Sequence, residues 1–162
     1  MIYPMSSYFS AEKQESVIFI TLGLLAIGFS AWLWMNGHRL KSIAYPLVLI
    51  ALMQMVVGVS IYLRTDTQLA TLSAQLQLEP AALKAQETRR MQTVMKNFSI
   101  YKGVEMLLLI VGLGMVAFLQ RNDLATGIGV GLVLQAALTL TLDLFAETRG
   151  TVYFSALQAM PG

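Results

Sequence analysis

Polar and ionisable side chains within long apolar runs are the residues of this chain that could carry chemistry. Glu105 is the most informative, because it lies about two turns, or ~9 Å, inside an apolar run that begins near Ser99. Ionisable groups at that depth of a bilayer are rare and usually face other protein groups or a water-filled cavity. The charged and amide side chains in the apolar runs are Gln54, Lys102, Glu105, Gln135 and Asp143. Such residues either hold helices together or line a path for an ion or proton.

The residue spacing on either side of Glu79 predicts a contact for Glu105. If the chain turns at Glu79 and returns as an antiparallel helix, the numbers of facing residues sum to a constant, which places Gln54 opposite Glu105. We therefore expect a Gln54–Glu105 hydrogen bond, with Lys102 one turn away as a counter-charge. We favour a polar clamp that fixes helix pairing over ion or proton movement, with interfacial exposure as the third option.

A second hypothesis concerns carboxylates near the end of the last apolar run. Asp143 and Glu147 lie on the same side of a helix, one turn apart. With Glu105 they could form a carboxylate cluster that holds a cation, but this spacing is not specific for a metal.

The chain offers little other catalytic chemistry. It contains no cysteine and a single histidine, His38, so it has no disulfide, thiolate nucleophile or bis-histidine haem site within one chain. It also lacks a recognisable nucleophile–base motif, a glycine-rich phosphate loop and a metal-spaced set of histidines or cysteines. We assign no catalytic residue, no metal site and no cofactor, and we expect His38 to be a solvated turn residue.

Composition indicates where these residues reside. The 162-residue chain is 56% hydrophobic and only 12% charged, whereas soluble domains carry about 25% charged residues. Four apolar segments, residues 16–35, 43–63, 99–119 and 124–145, approach or exceed the ~20 residues that cross a bilayer. We therefore predict an integral membrane protein, with an unusually apolar soluble bundle as the alternative.

The interval 64–98 joins the second and third apolar segments and keeps a helical pattern. Leu69, Leu72 and Leu76 are three or four residues apart, as are Met91, Val94 and Phe98. Pro80 suits a first helical position, so the break falls at Glu79-Pro80. The predicted fold is an all-α integral membrane protein, a single domain of four transmembrane helices in which helices 2 and 3 extend into an extramembrane helical hairpin. A flexible linker is the alternative for this interval.

The ends of the helices have local signals. Gly37 after Asn36 is typical of the end of helix 1, and Asn122 or Asp123 can cap helix 4. Ser10 is a candidate cap for helix 1, which would leave residues 1–9 at the bilayer interface. Helix 4 is expected to stop at Gly150, with residues 151–159 as a separate interfacial segment. Gly127 and Gly131 form a small-xxx-small pair, suited to close approach by a helix of this chain or of another copy.

Charged residues of the interval 64–98 form a collar next to the apolar runs. They are Arg64, Asp66, Gln68, Glu87, Arg89, Arg90 and Lys96, with Gln68 as the uncharged member. We consider a solvated face with weak ion pairs and, as the functional alternative, a surface that docks a protein partner. The basic residues are scattered rather than clustered, so we do not expect a nucleic-acid partner.

Basic residues also predict an orientation. Four spans place the hairpin and both termini on one side, which carries eight basic residues: Lys13, Arg64, Lys84, Arg89, Arg90, Lys96, Lys102 and Arg149. The other side carries Arg39, Lys41 and Arg121. The positive-inside rule then predicts a cytoplasmic hairpin and termini in a bacterial-type inner membrane, although the flanks of the first span alone favour the reverse.

Function is not encoded in a motif, so three hypotheses remain. The leading one is a non-enzymatic membrane protein that binds a protein partner through its hairpin and bundle surface, as an accessory subunit or an immunity-type protein. The alternative is a homo-oligomeric ion channel or small transporter lined by polar residues of helices 2 to 4. A membrane enzyme acting on lipid or quinone is the third.

Overall fold

The computed structural model describes residues 2–37 and 41–160, so His38 and Arg39 of the first turn lie outside the described part. It contains four long α-helices: α1 (Ile2–Met35), α2 (Ala44–Leu78), α3 (Pro80–Phe118) and α4 (Asp123–Gln158). A short 3-10 turn, Lys41–Ile43, precedes α2. By length and composition, each of the four helices is apolar enough to cross a membrane. The all-helical, four-helix prediction is therefore confirmed.

Local chemistry explains where these helices end. Gly37 has a left-handed φ of 59°, which glycine adopts without steric cost, directly after α1. Pro80 is the first residue of α3, so the chain between α2 and α3 is reduced to Glu79. At the start of α4, Asn122 Oδ1 accepts hydrogen bonds from the backbone N–H groups of Leu124 at 3.0 Å and Ala125 at 3.2 Å. These are short, locally specified connections.

The pairing of the helices differs from the prediction. α1 packs along α2 and α3 packs along α4, whereas α2 and α3 touch over only a small area. α4 also contacts α1, α2 and the 3-10 turn. Consecutive helices on either side of the Glu79 break are therefore not the main antiparallel pair. α2 packs instead against α1, the helix that precedes it, and α3 packs against α4, the helix that follows it.

The first and last helices, α1 and α4, are each longer at one end than predicted. α1 already begins at Ile2, so Ser10 lies inside a helix rather than capping one. α4 continues through Gly150 to Gln158, so the predicted stop at Gly150 and the separate segment 151–159 are wrong. Gly150, Tyr153 and Leu157 share one buried helix face, and their tertiary contacts keep the last turns helical.

We name two regions of the bundle. The polar half comprises residues 2–15, 64–98 and 146–160, and the apolar half comprises 16–35, 41–63, 99–118 and 123–145. The polar half has a side-chain core in which every helix takes part: Met5, Tyr8, Phe9, Leu72, Leu83, Met91, Tyr153 and Leu157. The predicted two-helix hairpin is thus covered by both ends of the chain and forms part of a four-helix module.

In the apolar half, glycines allow the backbones of neighbouring helices to approach each other closely. A Cβ built on Gly129 would lie 2.8 Å from the Gly112 carbonyl oxygen, and a Cβ on Gly112 would lie 2.8 Å from that of Gly129. A Cβ on Gly131 would lie 2.7 Å from the Ile43 carbonyl oxygen. A Cβ on Gly127 would meet the Ser42 side-chain hydroxyl. The neighbour of the small-xxx-small pair is therefore the 3-10 turn and the start of α2 in the same chain, and Gly129 between them faces α3.

Candidate functional site: a buried ionic cluster and its rim

The most deeply buried charged residue lies in the polar half. Glu87 of α3 is only 2% exposed. It accepts hydrogen bonds from Arg90 Nε at 2.9 Å and Arg90 Nη2 at 2.6 Å, one helical turn away. Its Oε1 also accepts a hydrogen bond from Tyr153 Oη at 3.1 Å, which joins α3 to α4. A buried carboxylate requires such partners, because an unpaired charge out of water costs several kcal/mol.

Aromatic rings from the two ends of the chain surround this pair. Tyr8 of α1 stacks on Tyr153 with ring centroids 4.8 Å apart. The Arg90 guanidinium lies 5.5 Å from the centre of the Phe9 ring, within the range of a cation–π interaction. The cluster of Glu87, Arg90, Tyr8, Phe9 and Tyr153 therefore connects α1, α3 and α4, and we call it the ionic cluster.

The two tyrosines of the ionic cluster are held in their protonated form. Burial raises the pKa of Tyr8 to about 12, and the negative charge of Glu12 adds to the effect. Burial also raises the pKa of Tyr153, as do the charge and hydrogen bond of Glu87. Both hydroxyls therefore remain hydrogen-bond donors at neutral pH.

Ion pairs form a rim around the ionic cluster and tie α1 to its neighbours. Arg64 of α2 donates to Glu12 at 3.3 Å. Lys13 pairs with Asp66 at 2.5 Å and also lies 4.8 Å from the centre of the Tyr62 ring. These contacts link α1 with α2.

α1 is also linked to α4, where Arg149 pairs with Glu15. Burial raises the pKa of Glu12 and of Glu15, and the paired arginine opposes that rise in each case. Desolvation dominates for both carboxylates, because α1 shields them from water even while a cation is near.

Polar residues of the apolar half do not make the predicted contacts. Gln54 is buried, but its Oε1 accepts a hydrogen bond from Gln135 Nε2 of α4 at 2.6 Å, and its Nε2 donates to no partner among the described residues. Lys102 pairs with Glu147, with Nζ 2.6 Å from Oε2, and does not act as counter-charge to Glu105. The expected Gln54–Glu105 bond is thus wrong, because α4 rather than α3 lies against this part of α2.

Glu105 lies between α3 and α4. The Thr139 hydroxyl is within hydrogen-bond reach of it, and Asp143 is close enough to interact electrostatically. Among residues 2–37 and 41–160, no group of three or more histidines or carboxylates could hold a metal ion, so the expected cation cluster with Glu147 does not form there. Glu147 is neutralised by Lys102 instead.

The predicted partner-binding residues separate into internal and external sets. Glu87 and Arg90 belong to the ionic cluster, in which Glu87 is buried and the Arg90 side chain is 26% exposed. Arg64 and Asp66 are exposed but paired with α1. Arg89 and Lys96 are exposed and Gln68 is half-buried.

Sequence reasoning missed the contribution of α1 and the end of α4. Tyr8, Glu12 and Glu15 recur at spacings of three or four, as do Gly150, Tyr153 and Leu157, and this is the signal that could have revealed a buried helix face. It was hidden because aromatic residues next to an apolar run are also typical of a bilayer interface.

A shallow open trough runs along the outer side of α3 in the polar half. It is lined by Ala81, Lys84, Ala85, Thr88, Arg89 and Gln92. All six residues belong to α3, so two small alanines lie beside the positive charges of Lys84 and Arg89 on one helix surface. On the Lys84 side, Nζ donates a hydrogen bond to the Met160 carbonyl oxygen near the end of α4.

Comparison with protein-family models, with curated proteins and with solved structures found no match. Functional argument therefore rests on the geometry of the chain itself.

Proposed function

We propose that the chain is an integral membrane protein that acts by binding a protein partner on the outer surface of its polar half. The observation that carries this proposal is the ionic cluster, which joins three helices around a 2%-exposed carboxylate. Helices tied in this way present a preorganised surface, and preorganisation reduces the conformational entropy lost on binding.

The contacts that the other polar residues make support the same proposal. In the apolar half, Gln54 bonds to Gln135, and Lys102 bonds to Glu147 near its boundary. These side chains hold helices of one chain together. Arg89 and Lys96, on the outside of the polar half, are exposed and available for contacts with another molecule.

We further propose that the polar half and both termini face the cytoplasm of a bacterial-type inner membrane, following the positive-inside rule. Trypsin accessibility tests this orientation. Arg89 is exposed and should be cleaved in inverted membrane vesicles but not in intact spheroplasts. Cleavage from outside the spheroplasts would reverse the proposed orientation.

Site-specific photo-crosslinking in membranes tests partner binding. A photoreactive residue at exposed Gln92 of the polar half should give a discrete adduct with a second protein, and a variant carrying it at exposed Ile110 of the apolar half is the matched control on the same helix. Lipid should surround Ile110, so no protein adduct is expected there. Adducts at Ile110 but at no position of the polar half would contradict the proposal.

The alternative proposal is a homo-oligomeric ion channel or small transporter lined by polar residues of α2 to α4. It is supported by Glu105, one carboxylate oxygen of which is buried without a hydrogen-bond partner among the described residues. Reconstitution into liposomes distinguishes the two proposals. A closed oligomer with an ion flux that Glu105→Gln abolishes would favour the channel, and a monomer or dimer without flux would favour partner binding.

A further inference from the structure

The charges on the outer surface of the polar half are not balanced. Among residues 2–37 and 41–160, five ion pairs neutralise carboxylates, and they involve Glu12, Glu15, Asp66, Glu87 and Glu147. Glu79 at the end of the bundle is exposed. On α3, the cations Lys84, Arg89 and Lys96 form no ion pair with a described carboxylate.

These cations border the trough or extend its line. Ala81, Ala85 and Gln92 are four and seven residues apart along α3, so they lie on one helix face. Arg89 is on the same face between Ala85 and Gln92, and Lys96 follows one turn after Gln92. All five residues are exposed. The result is a helix face with small apolar side chains and with positive charge along its edge.

We propose that this trough is the docking site for an acidic α-helix of the partner protein, an inference that rests on the proposed function and specifies the partner's chemistry. Small residues on this face let a second helix approach closely, as in other alanine- and glycine-lined helix contacts. Glutamate or aspartate side chains of that helix would pair with Arg89 and Lys96 at its rim. Charge complementarity of this kind sets the orientation and specificity of a complex.

The lipid of the surrounding bilayer does not account for this surface. Arg89 lies ten residues before Ser99, where the apolar run of α3 begins, so it is about 15 Å along the helix from that point. Lys84 is farther still. At physiological ionic strength, electrostatic attraction to anionic headgroups decays over ~8 Å, so Arg89 and Lys84 lie beyond their main influence, whereas Lys96, three residues before Ser99, lies within it. A protein helix can reach it from the aqueous side.

Binding of synthetic peptides to the full-length protein in nanodiscs of zwitterionic lipid tests the proposal. The probe is a fluorescent helix-forming peptide of about 15 residues, long enough at ~1.5 Å per residue to cover the trough, with alanine on one face and glutamate beside it. Fluorescence anisotropy should show saturable, salt-sensitive binding. A peptide with lysine in place of each glutamate should not bind.

Two pairs of variants distinguish specific recognition of the peptide by the trough from a general effect of the protein's net charge. Arg89→Glu should weaken binding about tenfold, as expected for replacing an attractive charge by a repulsive one. Arg121→Glu, at the opposite end of the molecule, changes net charge equally and should leave binding unchanged. Ala85→Leu should fill the trough and weaken binding severalfold, whereas Ala74→Leu on the exposed side of α2 should have no effect. Circular dichroism verifies that each variant keeps its helical content.

Three results would overturn the inference: no binding of the glutamate peptide, equal binding to Arg89→Glu, or equal binding of a single-stranded oligonucleotide of the same charge. They are distinguishable from failure of the proposed function. If the Gln92 crosslink to a partner persists undiminished in Arg89→Glu and Ala85→Leu, partner binding stands and the trough is not its site. If no position of the polar half gives an adduct, the proposed function fails as well.

Discussion

The two halves of the bundle hold their helices together by different means. In the polar half, large side chains such as Phe9, Met91 and Tyr153 form a closed core around the ionic cluster. In the apolar half, many leucine, valine and isoleucine side chains point outwards, and α3 and α4 meet at Gly112 and Gly129. The apolar half has only one small side-chain core, built from Leu33, Ile43 and Leu47 among the described residues.

The difference reflects the solvent in which each half is proposed to reside. In water, burying apolar side chains is the main force for packing, so the polar half buries the rings of Tyr8, Phe9 and Tyr153. In lipid, apolar side chains gain little by leaving their surroundings, so helices associate through close backbone packing and hydrogen bonds such as Gln54–Gln135. The same four helices therefore follow two packing rules along their length.

The largest expected effect is in the polar half. Glu87→Ala should lower the free energy of unfolding by about 3 kcal/mol, because it leaves the Arg90 charge without its partner beside the aromatic rings. Equilibrium unfolding in detergent measures the loss, and faster hydrogen exchange of residues 2–15 should accompany it. The double variant Glu87→Leu, Arg90→Met should recover most of the stability. A loss below about 1 kcal/mol in Glu87→Ala would mean that the ionic cluster does not hold this half together.

The next effect tests backbone packing in the apolar half. Gly129→Ala should destabilise the bundle by about 1–2 kcal/mol, since its Cβ would meet the Gly112 carbonyl. Gly114→Ala is the control, because a Cβ there has nothing within 4 Å. That substitution should be neutral or stabilising by up to ~1 kcal/mol through helix propensity. Steric-trap unfolding in bicelles measures both, and equal effects of the two substitutions would refute a contact between Gly112 and Gly129.

A double-mutant cycle measures how much a hydrogen bond between helices contributes to stability in the apolar half. Gln54→Leu and Gln135→Leu should show a coupling of about 1 kcal/mol, within the range found for hydrogen bonds between helices in membranes. Gln54→Leu and Glu105→Gln should show no coupling, because these residues do not bond. The same unfolding assay measures both cycles. Coupling confined to Gln54 and Glu105 would restore the pairing expected from residue numbering.

The smallest effect is a pH dependence at the rim of the ionic cluster. Burial raises the pKa of Glu12 above its ordinary value of 4.5, so the folded protein holds this proton more tightly than the unfolded chain does. Its contribution to stability is therefore fully present below pH 4.5 and is lost as the pH rises through the raised pKa.

Melting temperatures recorded between pH 4 and pH 8 measure this dependence. The range of about four pH units covers the titration of carboxylates with raised pKa values. Glu12→Gln should flatten the fall in melting temperature across that range. Asp66→Asn is a control, because the Asp66 side chain is 71% exposed and an exposed ion pair contributes little. An unchanged slope in Glu12→Gln would assign the pH dependence to other groups.

Much of the fold could be predicted because its signals are local. The helical pattern of residues 64–98, the Glu79-Pro80 break, the Gly37 turn and the Asn122 cap depend on residues close together in the chain. The candidate site was less predictable. The interval around Glu87 was recognised as charged, but its aromatic enclosure comes from Tyr8 and Tyr153, 79 and 66 residues away.

By itself, the sequence determined four long apolar helices and a residue at which each of them begins or ends, since hydropathy, glycine and proline act within a few residues. Tertiary structure alone decided that Gln54 bonds to Gln135 and that Glu87 is sealed by both ends of the chain. Periodicity shows which residues share a helix face, but several helices can cover that face. Only packing of the whole bundle determines which one does.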